Sequence, residues 1–435
     1  MLRALLSASG RYRLTREDLI AETGLARATV NNVLELAEAR GLVGSASVRG
    51  APGGALSFEL KARVGYLIGV EFSHNRVTTG IADMTGRLVE PLISDKPADE
   101  GEKPPDRDAH GSLDRAARHV KKLMEKVGAE PEEIAAVAVA LAGPVDPSTD
   151  LLRPMEGPWR SAMTNWLEVR AASQLRARCR FEPEPMPFDT PPAWAPRFFV
   201  GNDANFAALS TFELARDKWD GVEDLTTVAY VKWSAGIGSG LVINGALHRG
   251  HRGMAGEIGH LPLFDYPVRE DAPGCPRCGR PNCVEFIASY DAMKRAEGLE
   301  DLSRQEFEED PRGRACLLDT ARLIGRGVAP LVNALNPQLL VVGGPSPDLY
   351  PEIIPRLEEG LAEGALEAAR RDVQLRLDNN TNVAVVHGAV LYARDEVALP
   401  YLDDKLERVG ANGQRATSQP AAPKRAAAGR RGDRS

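Results

Sequence analysis

A chain of 435 residues is too long for one hydrophobic core and provides for two or three domains. Its 43% hydrophobic and 26% charged residues are ordinary for a soluble globular protein, and a net charge of −7 excludes a protein that coats nucleic acid over its whole surface. It leaves room for a small basic module on an acidic body, since residues 1–63 carry nine Lys/Arg against six Asp/Glu.

The first such module is expected over residues 1–62. Thr15-Arg16-Glu17-Asp18 reads as a helix start, with Thr15 as cap and Asp18 completing an acidic variant of the capping box. The helix EDLIAETG turns Leu19 and Ile20 inward and stops at Gly24, a residue suited to the left-handed position after a helix. A second helix starts near Arg27-Ala28-Thr29 and places Val30, Val33, Leu34 and Ala37 on one face. Arg27, Thr29, Asn31 and Asn32 lie near its start and point elsewhere; such side chains bond phosphates and base edges. Helix, glycine turn, helix is the spacing of a helix-turn-helix. ASVRGAPGGALSFEL then reads as two short strands around a glycine-rich tip, with Arg49 placed to reach a phosphate or the minor groove. A helical protein-interaction module with a hairpin is the plainer alternative.

Residues 64–93 switch to strand character, with a turn at Met84-Thr85-Gly86, and suggest an antiparallel hairpin. The polar, proline-rich stretch 95–110 reads as a loop, 111–127 as an amphipathic helix, and IAAVAVALAGPVD as a buried strand. Six prolines in 181–197 break any helix; a strand RFFVGND and a helix ANFAALSTFELAR follow. The buried strand TTVAYVKWS ends on a glycine loop at 236–240, helices dominate 285–335, and LLVVGG and VAVVHGA are read as the last strands. Strands alternating with helices indicate α/β architecture. The end of the chain, rich in Ala, Gly, Pro and Arg, is expected to be a disordered basic tail over 401–435; it is either solvated or a weak DNA contact. No apolar run reaches about 18 residues, and the N-terminal one is too short for a signal peptide, so no membrane span is expected.

The five cysteines form no even disulfide framework. Three of them, Cys275, Cys278 and Cys283, crowd together downstream of His260, which points to a metal in a reducing cytoplasm. One imidazole and three thiolates make a closed set suited to tetrahedral structural zinc; free thiols beside a core histidine are the alternative. Cys179 and Cys316 sit in regular segments and read as ordinary buried residues.

Asn202-Asp203-Ala204-Asn205, Gly236-Ile237-Gly238-Ser239-Gly240, Gly256-Glu257-Ile258-Gly259-His260, Cys283-Val284-Glu285 and Val342-Gly343-Gly344 follow one another in an order and spacing that resembles the ROK family of repressors and sugar kinases. The resemblance spans Leu14 to about Pro400. It implies a winged helix-turn-helix followed, over 63–400, by a two-lobed actin-like (ribonuclease H-like) sugar-kinase-type domain. It also implies that Asn202, Asp203, Glu257, His260 and Glu285 hold sugar hydroxyls, with Asp203 as the base in kinase members. On the residues alone, Asn202-Asp203 can equally be a helix cap. Kinase members resemble one another in Asp-x-Gly-Gly-Thr after the first strand. Here Gly69-Val70-Glu71-Phe72-Ser73-His74-Asn75 places Glu71 for the aspartate and bulky residues for the glycines. Only glycine allows the backbone to approach phosphate there. The expectation is therefore a sugar-responsive regulator, a homodimer or homotetramer on a double-stranded operator, with no catalytic residues at work. A hexose or N-acetylhexosamine kinase with a DNA-binding appendage is the alternative. The stretch Met155-Glu156-Gly157-Pro158-Trp159 departs from the family's sugar loop, so no sugar preference carries over.

Overall fold

The computed structural model of the chain describes residues 4–5, 13–47, 56–61, 64–73, 76–95, 109–146, 148–153, 163, 166–181, 195–219, 224–268, 273–345, 349–378 and 381–416. Arg49, His74, Asn75, the stretch 155–159, most of the loop 95–110 and the tail beyond 416 lie outside the described residues.

The N-terminal unit runs β1 (Leu14–Thr15), α1 (Arg16–Thr23), α2 (Arg27–Ala39), β2 (Val43–Ser47) and β3 (Leu56–Leu60). Its start is fixed by the expected reciprocal cap: Asp18 N–H donates to Thr15 Oγ1 at 3.2 Å and Thr15 N–H donates to Asp18 Oδ2 at 2.9 Å. Gly24 ends α1 at φ 64°, a conformation glycine takes without strain. Leu19, Val30 and Leu34 from the helices meet Phe58 of β3 in the core, and Val33 is only half-buried. The strands form one antiparallel sheet in the order β1-β3-β2. The short β1, absent from the sequence reading, makes a third strand of what was expected as a hairpin. Two helices about a tight turn with a three-stranded sheet are compatible with a winged helix-turn-helix.

The body holds two larger sheets. The first lobe contains β4 (Tyr66–Phe72), β5 (Val77–Asp83), β6 (Ile93–Ser94), α3 (Ala109–Val127), β7 (Ile134–Leu141), a small ribbon of β8 (Val145–Asp146) and β9 (Leu151–Leu152), α4 (Ala171–Cys179) and β10 (Arg197–Asn202). Helix α5 (Asp203–Lys218) leads to the second lobe, with β11 (Val228–Trp233), β12 (Ile237–Ile243), β13 (Ala246–Leu247), α6 (Val284–Ala288), α7 (Tyr290–Glu297), α8 (Arg304–Glu309), α9 (Pro311–Leu335), β14 (Leu339–Gly343), α10 (Tyr350–Gly364), α11 (Glu367–Asp372) and β15 (Gln374–Asp378). Helix α12 (Thr381–Ala416) returns to the first lobe and packs on β4, β7 and α5.

The two sheets have the same topology. Their orders are β10-β7-β4-β5-β6 and β13-β12-β11-β14-β15. In each, the first three strands in chain order are antiparallel neighbours and the last two join in parallel on the other side of the first. This duplicated sheet is the two-lobed actin-like arrangement. It puts the C-terminal ends of β4, β10 and β11, with the turns that follow them, around one cleft between the lobes.

Three local expectations are corrected. VAVVHGA is not a strand but the start of α12. Ala384, Val385, Val386, Ala389 and Val390 are all buried because the helix is wedged between the first sheet and α5, so its apolar run has no polar face to reveal helical period. Gly388 permits that wedge: a Cβ there would lie 1.7 Å from the Phe206 carbonyl. The true last strand is β15, QLRLD, whose half-polar alternation fits an edge strand. The glycine segment 236–240 is mostly strand: the turn is Ser234–Gly236, and Ile237–Gly240 already pair with β11. Lastly, α12 continues through Ala416, so the first part of the segment expected as a disordered tail is helical.

Candidate functional site

The four expected metal ligands come together. His260 closes a short 3-10 turn, Cys275 and Cys278 sit in a tight loop, and Cys283 caps α6, accepting from Phe286 N–H at 3.4 Å. Backbone bonds from Leu263 N–H to Asn282 and from Val284 N–H to Leu261 lace the two halves of the knuckle. All four ligand atoms lie within 4.8 Å of one another, and His260, Cys275 and Cys283 are buried. Cys275 Sγ and His260 Nδ1 are 3.9 Å apart. Ligands on a tetrahedral zinc are separated by about 3.6 to 3.8 Å, so the donor set and its spacing suit such an ion. Hydrogen bonding from Cys283 holds the Cys275 thiol well below its ordinary range, at about 3, against burial and with help from His260. A thiolate is the form that ligates metal.

Of the expected sugar residues, Asp203, His260 and Glu285 lie close enough to Glu257 to act on its charge, but most of the five already have protein partners. Asn202 is the N-cap of α5: its Oδ1 accepts from Asn205 N–H at 3.0 Å, and its amide donates to the Gly143 carbonyl at 2.9 Å. Asp203 begins α5, where its Oδ1 accepts from Ala204 N–H at 2.8 Å. Glu285 Oε2 accepts from Ile237 N–H at 3.0 Å and from Arg277 at 3.1 Å. Gly236 leaves room beside it: a Cβ there would lie 2.8 Å from that oxygen. His260 Nε2 stands 3.9 Å from Glu257 Oε2. Burial pushes the Glu257 carboxyl up, with His260 pulling it down and Glu285 pushing it further up. The imidazole thus turns one nitrogen toward the thiols and the other toward the cleft carboxylate.

The sequence reading did not single out Lys232 or Arg277. Lys232 rises from β11 into the cleft, where its ammonium donates to Asp203 Oδ2 at 2.6 Å and to Glu71 Oε1 at 3.1 Å. Glu71 lies on β4 of the first lobe and is 2% exposed, so the bridge joins the lobes in a nearly dry place. Burial lowers the lysine pKa, but Asp203 and Glu71 outweigh it and hold it above its ordinary value. For Glu71, burial wins over Lys232 and pushes the carboxyl up. A signal for this triad was present: a lysine inside the apolar run VAYVKW is costly to bury unless paired. Phe72, the next residue of β4, is buried against Trp166 with ring centroids 4.5 Å apart.

In the N-terminal unit, Arg27, Thr29 and Asn32 are exposed on the first turns of α2 and Asn31 is half-buried. Arg27 pairs with Glu17 at 3.1 Å across the two helices.

The family model described as "ROK family" matches residues 193–396. The chain is 23% identical to the DNA-binding transcriptional dual regulator NagC of Escherichia coli (strain K12) over 425 residues, covering 89% of this chain and 93% of that protein. Among solved structures, a ROK family transcriptional regulator described as a homolog of the E. coli MLC protein aligns with a TM-score of 0.65 at 17% identity, over 93% of this chain and 96% of that one. A ROK family glucokinase from Streptomyces griseus, solved with glucose and AMPPNP, aligns with a TM-score of 0.57 at 22% identity, over 76% of this chain and all of that one, 100%. With the duplicated sheet and the cysteine knuckle in place, the chain carries a ROK family domain over residues 193–396.

Proposed function

We propose that this chain is a sugar-responsive, DNA-binding transcription regulator that holds its effector in the kinase-like cleft without phosphorylating it. The observation that carries this reading is the bridge Glu71–Lys232–Asp203. A sugar kinase of this fold needs a carboxylate free to take a hydroxyl proton and room for the nucleotide phosphates. Both oxygens of Asp203 already accept protein hydrogen bonds, and a fixed ammonium fills the space between the two carboxylates. Phe72 and Ser73 occupy the place where glycines would let the backbone meet phosphate. The likeness to NagC runs across both the N-terminal unit and the body, which supports the regulator.

In this reading residues 1–62 are the winged helix-turn-helix, 63–400 the effector body and 401–435 a basic tail. Asn202, Asp203, Glu257, His260 and Glu285 form the sugar wall. Zinc is the metal of His260, Cys275, Cys278 and Cys283; with four protein ligands and no position open to water, it is structural and keeps that wall in shape. The protein works in the cytoplasm as a symmetric oligomer, and no helix among the described residues is long and apolar enough to cross a membrane. Sugar binding shifts the lobes and so the spacing of two recognition helices.

A coupled assay with ATP, hexoses and N-acetylated hexosamines tests the reading. No turnover above background is expected; turnover that vanishes in Asp203→Ala would establish the kinase instead. For DNA, Arg27→Ala is expected to weaken operator binding by about 1–3 kcal/mol, as for loss of one base or phosphate contact, and Asn31→Ala likewise. The Arg27–Glu17 pair is exposed, so the body should keep its melting temperature. Unchanged gel shifts in both variants would remove α2 as the recognition helix.

A further inference from the structure

The two ends of the lobe bridge are topologically equivalent. Glu71 is the penultimate residue of β4, the first strand of its sheet, and the β4–β5 ladder ends one pair later at Phe72 and Val77. Lys232 is the penultimate residue of β11, the first strand of the other sheet, whose ladder with β12 ends at Trp233 and Ile237. The duplicated fold therefore points an acid and a base at each other from matching positions. Asp203, at the start of α5, holds the ammonium from the side and is itself fixed by Ala204 N–H.

An ammonium carries three N–H donors. Two are used, one on Asp203 at 2.6 Å and one on Glu71 at 3.1 Å. Among the described residues, no third acceptor is within hydrogen-bond reach of Lys232, which is only 9% exposed. A buried charged donor left unmatched is expensive, and an oxygen in the cleft relieves it. The turn Ser234–Gly236 that follows β11 leads into Ile237, whose N–H holds Glu285, so the ammonium and Glu285 flank one short segment of the cleft wall.

We propose that Lys232 is a ligand-contacting residue of this cleft, donating its third N–H to an oxygen of the bound sugar, either a hydroxyl or the phosphate of a sugar phosphate. The proposal rests on the cleft being a sugar site. Lys232 then has two jobs at once: it ties β4 to β11 through Glu71, and it reads the ligand. Its position is set before the ligand arrives, because two carboxylates on separate elements clamp it, and such preorganisation keeps the ordering cost of binding low.

The test is calorimetric titration of the full chain with glucose, xylose, N-acetylglucosamine, glucose 6-phosphate and N-acetylglucosamine 6-phosphate. For whichever compound the wild type takes, Lys232→Met is expected to weaken binding by about tenfold to a hundredfold, as for loss of one charge-assisted hydrogen bond. Glu71→Gln keeps the ammonium and Asp203 and should weaken binding much less. The double variant Lys232→Met with Glu71→Gln removes one charge of each sign and serves if the single variant does not fold. It should show the loss seen on removing Lys232. Binding of the free sugar but not its phosphate identifies a hydroxyl as the partner, and the reverse identifies the phosphate. Wild-type affinity in a folded variant lacking Lys232 overturns the contact alone. A wild type that takes none of the five compounds overturns the sugar reading beneath it as well.

Discussion

Replacing Cys278 by serine is expected to lower the zinc content of the purified chain from about one ion per chain to near none. Cys278 is the half-buried member of the four, so its loss removes a ligand with little damage to packing. The knuckle is held by short backbone bonds such as Cys275 N–H to the Arg280 carbonyl. Without metal its thiols lose their common partner, and the destabilisation should be on the order of several kcal/mol, because in small metal sites binding energy is folding energy. Effector binding should fall in parallel. Arg277, which holds Glu285 at 3.1 Å, lies between Cys275 and Cys278, and His260 faces Glu257. Metal analysis with thermal melting reads both effects. An unchanged metal content in Cys278→Ser would remove this ligand set.

The second large effect is on stability. Lys232→Met leaves Glu71 and Asp203 facing one another in a buried place with no cation between them. Breaking a buried ion cluster by removing one partner costs about 3–5 kcal/mol. Glu71→Gln should cost far less. Burial outweighs Lys232 and has already pushed the Glu71 carboxyl above its ordinary value, so removing its charge gives up less. The sign of the pH dependence follows. A carboxyl whose folded pKa is raised contributes stability at low pH and loses it as pH rises through the folded value. Removing Lys232 takes away the attraction that opposes burial, so the Glu71 pKa rises further; Arg76 still acts on it from the adjoining turn. The gap in melting temperature between wild type and Lys232→Met should therefore narrow as the pH is lowered from about 8 to about 5. A gap that is constant across that range would mean that the lost lysine acted through packing and not through its charge.

Much of this architecture is readable from the residues, and the failures have physical causes. Thr15, Asp18 and Gly24 announce the first helix because caps are local chemistry, and they do so with the expected bonds. His260 and the three cysteines stand out because few other uses bring those groups together, and their ligand atoms do gather within 4.8 Å of one another. The run VAVVHGA misleads because a helix buried on nearly every side has lost the polar stripe that marks its period. Strand β15 escapes notice for the opposite reason: at a sheet edge, half of its residues are polar. The glycines at 236–240 suggest a loop, whereas Gly240 is there because strand β12 runs close to α5; a Cβ on it would lie 2.2 Å from the Ala204 carbonyl. Lys232 is the most instructive case. Glu71 looks like a damaged kinase aspartate when read alone, and Lys232 passes unnoticed inside a buried strand. Only the fold reveals that they complete each other across 161 residues of sequence.

The central question is whether ligand binding in the cleft changes DNA binding without chemistry on the ligand. The direct measurement is fluorescence anisotropy of the full chain on a duplex selected from random DNA, titrated with the sugar that calorimetry identifies, in the presence of ATP and with ADP followed in the same samples. A regulator of the kind described should change its DNA affinity on sugar addition, in either direction, while ADP stays at background. DNA affinity that ignores the sugar, together with ADP formation that depends on Asp203, would contradict it.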